Sequence, residues 1–399
     1  MHIPMITKHS GKSSEVKIYK TGDKKSFTLK LLAAVISGLL LAFSICKPGI
    51  WQLSWIAFVP VIYACQNATL KQSGLFWLIS GLVYYLILLW WINLFGYAPW
   101  IVLSMVQALY FAVFGWILNL SGIKKTGNWS VLLVPAAWAA IQFIRVYGMF
   151  GFTWGSLAHI QAGSDTSIRL AFLGPWILDF IVFIFNYSIT TILIGFRKKE
   201  LNIAGYKSAF GIIICCILIL LSLYITRSND ADKVADSGQP TGVMIQGNDE
   251  QDVMVTDEYL RTMFSYYASR SLNYMNKPNT LVIWPETTIP ADFTNTGWED
   301  QARELAKATN NCYVIGAYSP SNIPGDARLR NSAYIIGKDG TTKGIYSKVR
   351  LVPFGEFLPL RKTLGPILKN YHIRSRDVLA GENRPIRSEE RRVGKECRS

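Results

Sequence analysis

Seven apolar stretches fill the chain between residues 27 and 226, and they constrain its fold more than any other feature. A bilayer crossing takes about 20 mostly apolar residues, because the hydrocarbon core leaves every backbone N–H and C=O to be bonded within the protein. The stretches are 27–45, 50–64, 74–95, 99–120, 131–146, 170–196 and 210–226. The second and fifth are short, and a re-entrant or buried amphipathic helix is the lesser alternative for each. Trp51, Trp55, Trp90, Trp91 and Trp100 fall near the ends of stretches, where amphipathic rings favour the headgroup depth. The reading is a multi-span α-helical membrane domain over residues 27–226, preceded by a basic cytoplasmic segment, 1–26.

Charge orients the array. The net charge is +15, and the basic residues gather around the apolar stretches: Lys8 to Lys30 before the first, Lys71 after the second, Lys124 and Lys125 after the fourth, Arg197 to Lys199 and Lys207 before the seventh. Those loops share one side when all seven stretches cross, and an excess of Lys and Arg marks the cytoplasmic side. An odd number of crossings then puts the remainder of the chain outside. Placed so, the charge serves topology, and no helix-turn-helix, zinc-finger or aromatic RNA-reading pattern argues for nucleic acid. Arg145, Arg169 and Asp179 are the few charges within the apolar region and fall near the ends of stretches, which disfavours a transport path.

Residues 227–240 are polar and unpatterned, as in a linker. Beyond them the periodicity alternates. Strand-like runs at 241–245, 281–284, 313–317, 332–336 and 343–347 are interleaved with helical spacing at 257–272 and 298–309, and Lys338-Asp339-Gly340-Thr341 supplies a hairpin turn. Alternating strands and helices followed by a hairpin describe an α/β layered domain, 241–386.

Two segments of this domain carry chemistry. Trp284-Pro285-Glu286 places a carboxylate just past a hydrophobic strand, where layered α/β proteins put their reactive groups. Lys348 follows another strand and leads into the apolar, proline-fixed run Leu351-Val352-Pro353-Phe354-Gly355-Glu356. A carboxylate that takes a proton and a lysine that holds a developing negative charge make two thirds of an acyl-transfer site, the third being a nucleophile. Taken singly, Glu286 reads as a turn carboxylate and Lys348 as an edge-strand lysine. Together they read as a site. Neither Cys nor His spacing suggests a disulfide framework or a metal site, and the chemistry calls for no cofactor.

These segments, with Asn331-Ser332-Ala333, resemble the nitrilase (carbon-nitrogen hydrolase) superfamily. Joined to a multi-span amino-terminal region, with Gly151-Phe152-Thr153-Trp154 and Gln246-Gly247-Asn248, the chain is similar to the apolipoprotein N-acyltransferase branch over about residues 27–386. The resemblance implies a nitrilase-like α/β domain on the outer, periplasmic side of a bacterial inner membrane. It implies a cysteine that takes a fatty acyl chain from a phospholipid donor and passes it, through a thioester, to the α-amine of a diacylated apolipoprotein. It assigns Glu286 as general base, Lys348 as oxyanion stabiliser and Glu356 as a supporting carboxylate.

The nucleophile is expected after Lys348, on a strand, and nothing fits. Cys397 has a charged context, Gly394-Lys395-Glu396-Cys397-Arg398-Ser399, without strand pattern. Cys312 precedes Lys348 and reads as a buried structural thiol. The run Arg387 to Ser399 (RSEERRVGKECRS) corresponds codon for codon to a common sequencing adapter, so residues 387–399 are expected to be foreign. The natural sequence would then diverge near Ile386, leaving the α/β domain incomplete and the chain without its nucleophile and inactive. Sequencing the gene across the codons for Ile386 and Arg387 checks this: a stop codon there, or genomic codons for Arg387 to Ser399, refutes it.

Overall fold

The structure, a computed structural model, describes residues 21–121, 129–147, 151–163, 174–198, 203–228, 241–248, 255–277, 279–353, 355–358, 361–362, 365 and 377–382. The chain divides into two compact units, Met1–Ser228 and Asn229–Ser399.

The first unit is helical. Its helices are α1 (Thr21–Ile45), α2 (Val59–Ala64), α3 (Leu70–Leu88), α4 (Tyr97–Ser121), α5 (Ser130–Val146), α6 (Leu157–Ile160), α7 (Pro175–Lys198) and α8 (Ile203–Ser228). Among the described residues, four helical stretches are long and apolar enough to cross a membrane: Ser26–Ile45, Leu70–Leu88, Tyr97–Leu120 and Pro175–Arg197. The expected crossing at 50–64 breaks into a 3-10 turn, Trp51–Trp55, and the short α2. A six-residue helix spans only about 9 Å. Helix α3 starts earlier than its apolar run suggests because Thr69 and Gln72 close a capping box around its first turn.

Small residues bring these helices together. A Cβ on Gly115 of α4 would lie 2.7 Å from the Ser73 carbonyl oxygen of α3, and one on Gly38 of α1 would lie 2.6 Å from that of Ser80. Ser73 Oγ also donates to the Gly115 carbonyl at 2.7 Å. Without a hydrophobic drive between helices in lipid, such close approach supplies dispersion and hydrogen bonding instead. Phe58, Trp77, Phe111, Phe114, Trp138 and Phe183 fill the centre, Trp138 stacking on Phe183 at 5.1 Å.

Two charges expected near the ends of stretches are wholly buried. Arg145 on α5 donates from Nε to Gln142 Oε1 at 2.9 Å and from Nη1 to Gln107 Oε1 at 3.2 Å and the Trp154 carbonyl at 2.8 Å. Asp179 on α7 accepts the Ala158 N–H at 3.1 Å. Both tie down residues 154–158 from within the bundle, the role that makes a buried charge tolerable. Arg169 lies outside the described residues.

The second unit is a mixed six-stranded sheet with helices on one face. Its strands are β1 (Thr241–Met244), β2 (Thr280–Ile283), β3 (Ile289–Asp292), β4 (Cys312–Pro320), β5 (Leu329–Ile336) and β6 (Thr342–Ser347), and its helices α9 (Asp257–Leu272) and α10 (Trp298–Thr309). The order is β1-β2-β4-β5-β6, with β3 also pairing β4; β1, β2 and β4 run parallel and β4, β5 and β6 antiparallel. Both helices have the expected boundaries, and the 338–341 turn joins β5 to β6. Strand β3 is not among the strand-like runs of the sequence; Pro290 lacks a donor, and β3 meets β4 with a shifted register. Alternation along the strands sends Val282, Tyr313, Ile315, Ala317, Tyr334 and Ile336 to one face, where they pack with Leu260, Phe264 and Ala302 of α9 and α10. Most of the linker, 229–240, and the tail, 387–399, lie outside the described residues.

Candidate active site

Three chain segments converge: those just past β2 and β6, and the first residues of β5. The parallel strand β2 ends at Ile283, Trp284 still donates its N–H to the Val314 carbonyl at 2.9 Å, and Pro285 then ends the ladder, releasing Glu286. Thr287 holds a φ of 56° and Thr288 Oγ1 donates to the Pro285 carbonyl at 2.7 Å, which turns the chain sharply. A β-branched residue in the left-handed region is strained, and such strain collects where surrounding structure fixes a functional backbone.

Gly316 explains how the turn fits against the sheet. A Cβ there would lie 2.1 Å from the Pro285 carbonyl oxygen and 2.7 Å from Glu286 Cα. Gly316→Ala is therefore expected to push Glu286 outward while the strands persist. A reaction that needs Glu286 in place should slow by about 10²-fold, since a shift near 1 Å has that cost. Circular dichroism beside a rate measurement checks it; full activity with unchanged secondary structure refutes it.

Lys348 sits one residue past β6, its N–H donating to the Asn331 carbonyl at 2.8 Å and its own carbonyl accepting the Gly381 N–H at 2.8 Å. Its ammonium donates to Glu286 Oε1 at 2.8 Å and lies 3.1 Å from Glu356 Oε2. Glu356 is buried and its Oε2 accepts the Val352 N–H at 2.7 Å, so the turn 352–356 aims this carboxylate at the lysine. The structure thus brings Glu286, Lys348 and Glu356 together.

Asn331 is the site residue that sequence reasoning placed in a motif but not in the site. From β5 its Nδ2 donates to Glu286 Oε1 at 2.6 Å and to Glu356 Oε1 at 2.7 Å, bridging the two carboxylates, and it is 5% exposed. A buried amide at the start of a strand, on the face opposite Arg330 and Ser332, is the signal that could have found it.

The electrostatics follow from this packing. Partial burial opposes the charge on Glu286, but the Lys348 ammonium and the Asn331 amide outweigh it and hold the carboxyl below its ordinary value. Partial burial likewise opposes the charge on Lys348, and Glu286 and Glu356 outweigh it and raise that pKa. Both groups are ionised at neutral pH. The Glu286 side chain is 61% exposed, so water screens this pair and it adds little stability.

Cys312 begins β4, while Asn331 pairs in register with Tyr318 at the strand's far end. Six residues of strand place Cys312 about 20 Å from the cluster. Cys397 lies outside the described residues.

Comparison with known proteins agrees with both units. Residues 37–188 match the apolipoprotein N-acyltransferase N-terminal domain, and residues 248–390 match the carbon-nitrogen hydrolase domain. Proteins named apolipoprotein N-acyltransferase are similar along most of the chain. One from Geobacter metallireducens is 31% identical over 350 residues, 84% of this chain and 66% of that protein. One from Chlorobaculum tepidum is 26% identical over 84% of this chain and 66% of its own length, and one from Gloeobacter violaceus 24% identical over 88% and 68%. The chain spans about two thirds of the length of these curated relatives. With a helical unit built for a bilayer followed by a carbon-nitrogen hydrolase fold, the chain is an integral membrane protein that belongs to the apolipoprotein N-acyltransferase family.

Proposed function

We propose that the site transfers a fatty acyl chain from a phospholipid such as phosphatidylethanolamine to the α-amine of the diacylglyceryl-cysteine of an apolipoprotein, through a cysteine thioester. The carrying observation is the shared Lys348 ammonium, held 2.8 Å from Glu286 and 3.1 Å from Glu356. Glu286 takes the thiol proton as the sulfur attacks the ester carbonyl, and Lys348 neutralises the tetrahedral oxyanion. Collapse breaks the ester C–O bond, and the departing alkoxide takes the proton back from Glu286. The amine then attacks the thioester, Glu286 receives its proton, and the thiolate leaves to regain it. Glu356 and Asn331 keep the base and the cation in register.

Lipid substrates give the membrane helices a purpose, since each CH₂ exposed to water costs about 0.8 kcal/mol. The basic loops support a cytoplasmic side, with the hydrolase-type domain on the outer face of the inner membrane. Residues 352–360 are proposed to form part of a lipid-facing lip. Neither Cys312 nor Cys397 is proposed as the nucleophile.

The test is an assay of the protein expressed from its genomic locus, with phosphatidylethanolamine as donor and a diacylated lipopeptide as acceptor, read by mass spectrometry. A mass gain of one acyl chain on the lipopeptide is expected, unchanged by Cys312→Ser. Ammonia released from a small amide, without lipopeptide acylation, would overturn acyl transfer in favour of a tethered amidase; loss of transfer in Cys312→Ser would make that residue the nucleophile.

A further inference from the structure

Strands β1 and β2 run parallel with Met244 opposite Ile283, so the chain leaving β1 emerges beside Trp284-Pro285-Glu286 at one end of the sheet. The ladder lasts one residue more, as the Ile245 N–H donates to the Ile283 carbonyl at 3.0 Å. In that pattern the next bond would run from residue 285 to the Ile245 carbonyl, and Pro285 has no N–H to give. The one after it would join the Gly247 N–H to the Pro285 carbonyl, which accepts Thr288 Oγ1 at 2.7 Å instead. Residues 246–248 are thus released from the sheet beside Glu286.

Tyr267 catches them. Buried on α9, its hydroxyl accepts the Gly247 N–H at 2.9 Å. The same ring lies 5.3 Å from that of Trp284, two residues before Glu286. Trp284 Nε1 donates to Ser271 Oγ at 3.1 Å, and Ser271 Oγ donates to the Tyr267 carbonyl at 2.8 Å, which ties both aromatic side chains to the helix. One side chain therefore registers the exits of both β1 and β2. Glu286 itself does not depend on the hydroxyl, because Thr288, Gly316, Asn331 and Lys348 already hold its turn and its carboxylate. The strand order β1-β2-β4-β5-β6 puts residues 246–248 on the flank of Glu286 opposite Asn331 and Lys348. Gln246 and Asn248 are exposed there and bring carboxamides without charge.

We infer that Tyr267 is a positioning residue: through Gly247 it holds residues 246–248 as the wall against which substrate is seated beside Glu286, and that wall takes neutral ester or amide groups. The inference rests on the acyl-transfer reading of the site. It assigns Tyr267 to binding rather than to chemistry, since the groups around the reacting carbonyl keep their places without it. A contact made equally in the ground and transition states appears in KM and leaves kcat alone.

The test uses the protein expressed from its genomic locus, with phosphatidylethanolamine as donor and a diacylated lipopeptide as acceptor. Tyr267→Phe keeps the ring against Trp284 and removes only the hydroxyl. KM for donor or acceptor is expected to rise about tenfold, as for one hydrogen bond left unmade, with kcat within about twofold and the acid limb of the rate unmoved. Hydrogen exchange followed by mass spectrometry reads the tie directly: amides of 246–248 should exchange faster in the variant while those of β2 do not. An unchanged KM for both substrates, or a fall in kcat larger than the rise in KM, overturns the inference. Should the variant fail to fold, exchange in the unsubstituted protein decides: added lipopeptide slows it at 246–248 if substrate is seated there, and an unaltered rate refutes the wall. Absence of acyl transfer by the unsubstituted protein would instead sink the acyl-transfer reading, and the exchange measurement would still judge the wall.

Discussion

Lys348→Ala is expected to slow acyl transfer by about 10²- to 10³-fold, the usual loss when one oxyanion donor is removed. The loss should fall on kcat and kcat/KM together, since the interaction strengthens only as negative charge develops on the carbonyl oxygen. The substitution also leaves Glu286 and Glu356 facing each other with only the Asn331 amide between them. Like charges so placed repel, so the pKa of one carboxyl should rise. Lys348→Arg tests the geometry: its charge is kept, but a planar fork cannot occupy the single point that faces Glu286 at 2.8 Å and Glu356 at 3.1 Å. A Lys348→Ala enzyme within threefold of the original rate would remove the lysine from the mechanism.

Glu286→Gln is expected to cost about 10²- to 10⁴-fold, the range for loss of a positioned general base. Glutamine keeps the shape and an oxygen for the Lys348 and Asn331 contacts, so folding should be unaffected. The pH dependence separates this role from a structural one. Because the folded carboxyl lies below its ordinary value, the ionised base is fully present above the ordinary glutamate range. The acid limb of the rate should therefore fall only beneath that range, as pH drops through the lowered folded pKa. The stability given by the pair has the same sign: present above the unfolded carboxyl pKa, lost on acidification, and small because the side chain is largely exposed. Lys348, raised above its ordinary value, contributes below the unfolded lysine pKa and loses that contribution as pH rises through the folded one. A Glu286→Gln enzyme that keeps both rate and acid limb would show that another group accepts the proton.

Local patterns were legible wherever one element controls its own outcome. Helices α9 and α10 occupy their read boundaries because Thr256 caps the first and burial of Trp298, Ala302, Ala306 and Thr309, at helical spacing, fixes the second. Glu286 and Lys348 could be located because a strand followed by proline, or by an apolar turn, leaves the next polar side chain at a sheet end. What resisted reading depends on partners distant in the chain. Asn331 becomes a bridge only when β5 lies between segments 45 residues earlier and 25 later. Arg145 becomes interior because Gln107, 38 residues away, and the Trp154 carbonyl receive it. The apolar run at 50–64 carries hydropathy enough for lipid, but its backbone turns at Trp51–Trp55, and composition alone does not reveal that.

The shared lysine has a consequence for the order of proton movement. Glu286, Glu356 and Lys348 together carry one surplus negative charge, so an incoming sulfur cannot arrive already ionised without meeting an electrostatic barrier. In the proposed acyl transfer it therefore enters as a neutral thiol, and its proton crosses to Glu286 as the S–C bond forms. The total charge within the cluster and its substrate stays constant through the reaction, and the new anion appears on the carbonyl oxygen at the moment one carboxylate is discharged. Lys348 is thereby passed from one counter-ion to the next, without a step in which it faces three.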